Sequence, residues 1–416
     1  MNVVVLGAGV VGTAAAWYLR AAGHDVLVLD RQAAAGMETS YANGGQISVS
    51  HAEPWANPGA PLKVLKWLMR EDAPLLFRLR ADPAQWRWGL QFLLECLPGR
   101  TRRNTVQLVR LGLYSRAALQ ALRRETGIRY DHLERGILHL YTRRSELEAA
   151  VEPARLMREL GLDRQMKTPE QCVAIEPALA PAQRLLAGGT YSRDDESGDA
   201  HAFTQELAKL AAARGARFDF GVRVDQLLAD GDVISGARVT RADGRPDMVR
   251  GGAYVLALGS FSARLAAPLG MRLAIYPAKG YSVTMPVKNP ANAYSTALTD
   301  DEHKIVFSRL GDRLRIAGTA ELSGYDTAIN EVRCQAIVRR TIELFPDAGE
   351  PREARFWAGL RPSTPSNVPY IGRTRFSNLY LDTGHGTLGW THACGSGRAL
   401  ADLVSGRRPE LEFAFC

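Results

Sequence analysis

The constraint that shapes this chain most lies in its first thirty residues. An apolar run, Val3-Val4-Val5-Leu6, leads into Gly7-Ala8-Gly9-Val10-Val11-Gly12, then a helical stretch, then Val26-Leu27-Val28-Leu29 and Asp30. This is G-x-G-x-x-G between a strand and a helix, with an acid 18 positions beyond Gly12 at the end of the next strand. The three glycines act differently. Gly7 permits the tight turn, Gly9 lets the backbone approach a pyrophosphate, and Gly12 lets helix and sheet pack closely. The helix N-terminus offers unpaired N–H groups and partial positive charge to the phosphates. Asp30 is placed to accept hydrogen bonds from both ribose hydroxyls. The expected contacts of this unit are Val5, Gly7, Ala8, Gly9, Val10, Val11, Gly12, Asp30 and Arg31. They imply a dinucleotide without saying which.

Residues 1–19 carry no charged side chain, so the same stretch invites reading as a signal peptide or membrane anchor. A signal peptide needs basic residues ahead of its apolar core, and only Met1 and Asn2 precede this one. Three glycines inside the run also weaken a spanning helix, and no other stretch offers roughly 20 uncharged apolar residues. The expected location is cytosolic, with peripheral membrane attachment as the variant. Cys96, Cys172, Cys334, Cys394 and Cys416 lie far apart with no C-x-x-C pair, which suits a reducing compartment and argues against a structural zinc site. His385 and His392 lack a third ligand nearby, so no metal is expected. The net charge of +8 comes from widely spread arginines without a nucleic-acid-binding motif, and no nucleic-acid partner is expected.

At 416 residues the chain is long enough for two domains, and no linker or internal repeat separates them. Three separated regions read as one α/β, Rossmann-like nucleotide-binding domain: 1–53, 181–270 and 356–416. In the second, Asp199 caps a helix over 200–214 that stops at Gly215, and Ala253–Leu258 forms a buried strand. In the third, Leu379-Tyr380-Leu381 is a strand followed by a glycine-rich turn and a helix over 391–404. Residues 54–180 read as mostly helical. Residues 271–355 alternate apolar and polar, as in Lys304–Arg309 and Arg313–Ala317, the pattern of antiparallel strands. These two blocks form an interleaved α+β substrate domain over the nucleotide.

Two loops carry further candidates. Ser40, Asn43, Gly44, Gly45, Gln46 and Ile47 follow the second strand and supply small side chains and backbone N–H groups, suited to phosphate and a flat ring. Gly384, Gly386, Thr387, Leu388, Gly389, Trp390 and Thr391 enter the last helix, whose N-terminus would stabilise the negative charge of a reduced flavin ring. Val224, Gly259 and Ser260 complete the expected cofactor contacts.

These segments together resemble the FAD-dependent D-amino acid oxidase superfamily, most closely its D-amino acid dehydrogenases of the small-subunit type. The resemblance rests on Val3–Gly12, Thr39–Ser48, Pro54-Trp55-Ala56, Pro277–Ser282, Phe356–Pro362 and Gly384–Thr391, and it covers nearly the whole length. It implies FAD as cofactor and oxidation of a D-amino acid to its imino acid, which water hydrolyses to a 2-oxo acid and ammonia. The electrons would pass to a quinone or other respiratory acceptor. It also implies that Arg361 grips the substrate carboxylate, a role suited to a guanidinium fork, with Tyr281 as a second contact. No general base is required. Within the superfamily, an oxidase or dehydrogenase of glycine, sarcosine or hydroxyproline stands as the alternative; outside it, an FAD-dependent tRNA-modifying protein.

Departures from the family pattern fall at Ser366-Asn367, where relatives often carry Asp-Gly, and at Ser50-His51-Ala52-Glu53, where they often carry Gly-Tyr-Ala-Ala. If the second loop borders the site, His51 and Glu53 alter which D-amino acid fits. Segment 54–103 holds four of the seven tryptophans and nine Lys/Arg against four Asp/Glu. Leu62, Leu65 and Met69, and then Trp86, Leu90, Leu93 and Leu97, fall at helical spacing. Such a surface either lies on an anionic membrane or packs on the second domain beneath its arginine stems.

Overall fold

The computed structural model describes residues 1–67 and 74–411. Its first sheet grows outward from the opening strand. Asn2–Leu6 pairs in parallel with Asp25–Asp30 on one side and Ala253–Leu256 on the other. Arg217–Phe220 and Leu379–Thr383 extend it in parallel, and Tyr370–Arg373 closes one edge antiparallel. Strand periodicity dictates the layers. Val3 and Val5 face a helical layer with Ala14, Trp17, Phe203, Leu207 and Leu400, whereas Val4 and Leu6 face a core shared with Leu227, Ile234 and Val239. The first layer comes from helices Val10–Ala21, Ala200–Ala213 and Gly389–Val404. The second comes from the antiparallel meander Arg223–Asp230, Val233–Thr240, Pro246–Val249. Asp199 caps its helix as expected, accepting from the N–H groups of His201 and Ala202.

Among the described residues the second sheet has nine strands. In order across it run Arg355–Ser363, Tyr276–Pro286, Arg313–Leu322, Ile305–Leu310, Ala297–Asp300, Ile137–Tyr141, Gly188–Ser192 and Arg164–Lys167, with Leu75–Phe77 pairing beside Arg313–Leu322. One face buries Val283, Leu298, Phe307, Leu314 and Ile316 against helix Glu331–Leu344 and the turn Pro177–Leu185. The other face looks toward the first domain.

Chain continuity and sheet membership diverge in two places. Gly188–Ser192 and Arg355–Ser363 fall in segments assigned by sequence to the nucleotide-binding domain, yet they hydrogen-bond into the second sheet. The helix Pro98–Thr126, from the substrate block, packs Ala118, Leu119 and Leu122 into the first domain's core. An apolar strand announces that it needs partners, but not which sheet supplies them.

Candidate active site

The glycine-rich turn is closed to side chains in two places and open in a third. Gly7 has φ +108°, and a Cβ there would lie 2.6 Å from the Ala257 carbonyl oxygen. A Cβ on Gly12 would collide with the Gly7 carbonyl. Around Gly9 the nearest atom to such a Cβ is Ser40 Oγ at 3.6 Å, so this glycine keeps backbone, not packing, exposed. The Val10 N–H donates to Ser40 Oγ at 3.0 Å. Asp30 turns back onto the motif, its two oxygens accepting from the N–H groups of Ala8 (2.7 Å) and Gln32 (2.8 Å). Burial raises its pKa above the ordinary value, partly offset by those two bonds. Each oxygen retains lone-pair capacity for a ribose hydroxyl. The N–H groups of Gly7, Ala8 and Val10 are committed to the Leu29 carbonyl, Asp30 and Ser40, so these three residues shape the turn rather than offer donors. Arg31 donates to Glu38 at 2.6 Å and stacks over Phe261 at 4.0 Å.

From this turn a single cavity of about 1360 Å³ runs beneath the second sheet to Arg361. It exceeds the roughly 300–1,000 Å³ that holds one small ligand. All but four of the expected cofactor contacts line it; Val5, Ala8, Gly12 and Ile47 stand one layer behind. The Ser40–Ile47 loop is pinned from both sides. Asn43 Oδ1 accepts from Gly45 N–H, Gln46 Nε2 donates to the Leu298 carbonyl, and Ser308 Oγ donates to that of Gly44. The Ser48 N–H donates to Thr391 Oγ1 at 3.0 Å, tying the loop to the start of helix Gly389–Val404. That helix has no side-chain cap and no acid in its first turn, which leaves its N–H groups to the cavity. Ser48 Oγ and Trp390 Nε1 are buried along the same wall without a partner among the described residues. Unmet donors, an uncapped helix end and a turn that excludes Cβ atoms fit a long, polar, anionic cofactor.

At the far end, Arg361 sits on strand Arg355–Ser363 and donates Nη1 to the Thr319 carbonyl at 2.9 Å. No carboxylate pairs with it among the described residues. Burial lowers its pKa to about 10, with Arg333 nearby adding to the shift, so it stays charged at neutral pH. A buried cation needs a counter-charge. Tyr281, the expected second contact, is among the residues that line the cavity, but its hydroxyl is turned away from it. It neighbours Gly280 on the same strand and therefore points to the other face. Its ring lies in the second core, its hydroxyl donates to Glu321 at 2.6 Å, and it is 1% exposed.

Both departures from the family pattern have a structural place. Asn367 has φ +61°, a conformation that glycine or asparagine adopts most readily, and its Oδ1 accepts from the Trp55 N–H. His51 and Glu53 line the cavity. Glu53 pairs with Arg164 at 2.6 Å; burial opposes its ionisation, but Arg164 and His51 hold its pKa below the usual value. Burial lowers His51 to about 4, leaving it neutral, 3.8 Å from Asp301.

The sequence profile of the FAD dependent oxidoreductase family matches residues 2–403. The chain belongs to this family. Its fold is shared with a glycine oxidase from Geobacillus kaustophilus, at a TM-score of 0.74 and 24% identity over 100% of this chain and 96% of that one. Relatives in sequence include proteins named D-amino acid dehydrogenase. One from Dechloromonas aromatica is 60% identical over 100% of this chain and 99% of its own. Another from Paramagnetospirillum magneticum is 59% identical over 98% and 96%. FAD is thus the cofactor of this family member. Residues that sequence reasoning missed include Gly280, Thr319, Trp357 and Arg164, all of which line the cavity. Gly280 lies inside a motif that carries the family resemblance, but nothing in the sequence marks Thr319.

Proposed function

We propose that this chain is an FAD-dependent D-amino acid dehydrogenase. The observation that carries the reading is Arg361: a charged, carboxylate-free arginine at the far end of a cavity that begins on the glycine-rich turn. Its guanidinium receives the substrate carboxylate and fixes the orientation of Cα. The turn from Gly7 to Val11, with Gly9 leaving its backbone open, receives the diphosphate half of FAD, and the loop Asn43–Gln46 with the first turn of helix Gly389–Val404 holds the ring half. Bound FAD supplies the acceptor for the hydride that leaves Cα. With the amine neutral, its lone pair assists that departure and yields the imino acid, so no side chain has to remove a proton from Cα. Water then hydrolyses the imino acid to a 2-oxo acid and ammonia.

Electron delivery to a membrane quinone is the second half of the proposal. Helix Pro83–Glu95 buries Gln85, Trp88 and Phe92 and leaves Trp86, Leu90, Leu93 and Leu94, with Leu97 just beyond it, each more than half exposed. An outward apolar stripe beside Arg87, Arg100, Arg102 and Arg103 matches an anionic lipid surface. Leu62 is exposed as well, whereas Met69 and the side chain of Leu65 lie outside the described residues. No described helix is long and apolar enough to cross a membrane.

Anaerobic mixing with single D- and L-amino acids tests the chemistry. D-Alanine and its relatives are expected to bleach the flavin absorbance. Bleaching by sarcosine or proline derivatives alone would transfer the chain to the alternative substrate class. Flotation with anionic liposomes tests the stripe: Leu90→Ser/Leu94→Ser is expected to stay with the soluble fraction.

A further inference from the structure

The second sheet loses its regular register opposite Gly280. Lys279 pairs with Glu321, and the next matched pair is Tyr281 with Gly318, so Thr319 and Ala320 together face the single residue Gly280. Two residues against one is a β-bulge, a device that re-aims groups beside active sites. Thr319 sits at φ +57°. A β-branched residue rarely adopts that conformation, and it persists only where the surroundings enforce it. Here they do. The Thr319 N–H donates to the Lys304 carbonyl at 3.2 Å and the Ala320 N–H to that of Pro74 at 2.7 Å. Lys304 is itself at φ +55°. The consecutive carbonyls of the bulge each receive an arginine: Arg361 on Thr319 at 2.9 Å and Arg333 on Ala320 at 3.1 Å.

The neighbouring strand completes the arrangement. Arg361 lies opposite Ala278 in the ladder, so its side chain must lean along the sheet over Gly280 to reach Thr319. A Cβ on Gly280 would overlap the guanidinium, and the three atoms nearest to that Cβ all belong to Arg361. Gly280 has an ordinary negative-side backbone, so no turn requires a glycine there. The absent side chain serves as the platform on which the guanidinium rests.

We propose that Gly280 and the bulge at Thr319 are positioning elements that aim Arg361 and thereby set the affinity for the substrate's α-carboxylate. This rests on the reading of Arg361 as the carboxylate grip. Gly280 and Thr319 touch neither substrate nor cofactor in this scheme; they act through the arginine alone.

The test uses the FAD-loaded variants G280A, R361A and the G280A/R361A double, with T319P as a second route. Proline fixes φ near −65° and removes the N–H bonded to Lys304. Readouts are FAD content, KM and kcat for D-alanine with an artificial electron acceptor, and the affinity for benzoate followed by flavin absorbance. G280A is expected to keep FAD and to raise KM and the benzoate Kd at least tenfold, with a smaller change in kcat. In the R361A background the same change should add less than twofold, because neighbours that act through one group are not additive. If G280A is recovered without FAD, T319P decides by the same readouts. A G280A enzyme with KM and benzoate affinity within twofold of the parent overturns the proposal, as does an equal further loss on top of R361A. R361A at the parent's KM would instead remove the carboxylate grip itself.

Discussion

The two ends of the cavity are built by different means. At the cofactor end Gly7, Gly9, Val10 and Val11 bring backbone to the cavity wall from a turn that folds locally between a strand and a helix. At the far end the proposed working group is one side chain, Arg361, held by strands drawn from residues 276–286, 313–322 and 355–363. A backbone cradle tolerates no added atoms but has few parts to misplace. A side-chain clamp depends on neighbours that never meet the ligand themselves. The contrast teaches that a residue's importance at the first end is read from its own size, and at the second from what leans on it.

The largest effect should come from breaking the cradle. Gly12→Val places branched atoms where a single Cβ already meets the Gly7 carbonyl, so the purified protein is expected to lack flavin absorbance altogether. Next is the clamp. Arg361→Ala should retain FAD yet lower kcat/KM for D-alanine by about a hundredfold, the worth of roughly 3 kcal/mol for two charge-assisted hydrogen bonds. Full flavin content with unchanged kinetics would erase the contrast. A smaller effect is expected where the cradle borrows a side chain. Ser40→Ala removes the acceptor for the Val10 N–H, and loss of such a cap costs about 1 kcal/mol. FAD affinity by equilibrium dialysis should fall only about fivefold.

The smallest expected change lies between the two ends. Asp382 is fully buried, lines the cavity, and has no hydrogen-bond partner for either oxygen among the described residues; a ring nitrogen of His385 is 3.5 Å away. Burial therefore raises its pKa well above the ordinary value of 3.8. A raised carboxyl pKa means the folded state binds the proton more tightly than the unfolded chain, so stability is lost as pH rises above 3.8. Asp382→Asn removes that dependence. Its melting temperature by scanning calorimetry should exceed the parent's at about pH 7.5, with the gap closing as pH falls toward about 4. A gap that widens on acidification would show that the parent's Asp382 is ionised and paired.

Much of this is legible in the sequence. The Gly7–Gly12 turn, the helix capped by Asp199, and the loop and helix that wall the cavity are local features, written in contiguous residues whose conformations neighbours in sequence dictate. The position of Arg361 at the cavity's end is also recoverable through its surrounding motif. The engagement of the Tyr281 hydroxyl with Glu321 is not, because the alternation of faces along Pro277–Ser282 cannot be oriented until one knows which side holds the second core. The sheet membership of Arg355–Ser363 escapes sequence reasoning for a related reason: its pairing partner, Tyr276–Pro286, lies far along the chain.

The sequence by itself determined the cradle, since G-x-G-x-x-G, its flanking strand and its acid interact across about thirty residues. Only the tertiary structure decided how Arg361 is aimed. That depends on a register shift between two strands, a threonine at positive φ and a glycine whose empty Cβ position is filled by the guanidinium. None of these is a property of a residue with its neighbours in sequence. Each arises when strands distant in the chain pack at a separation of about 5 Å, where one missing methyl group leaves room for a charge.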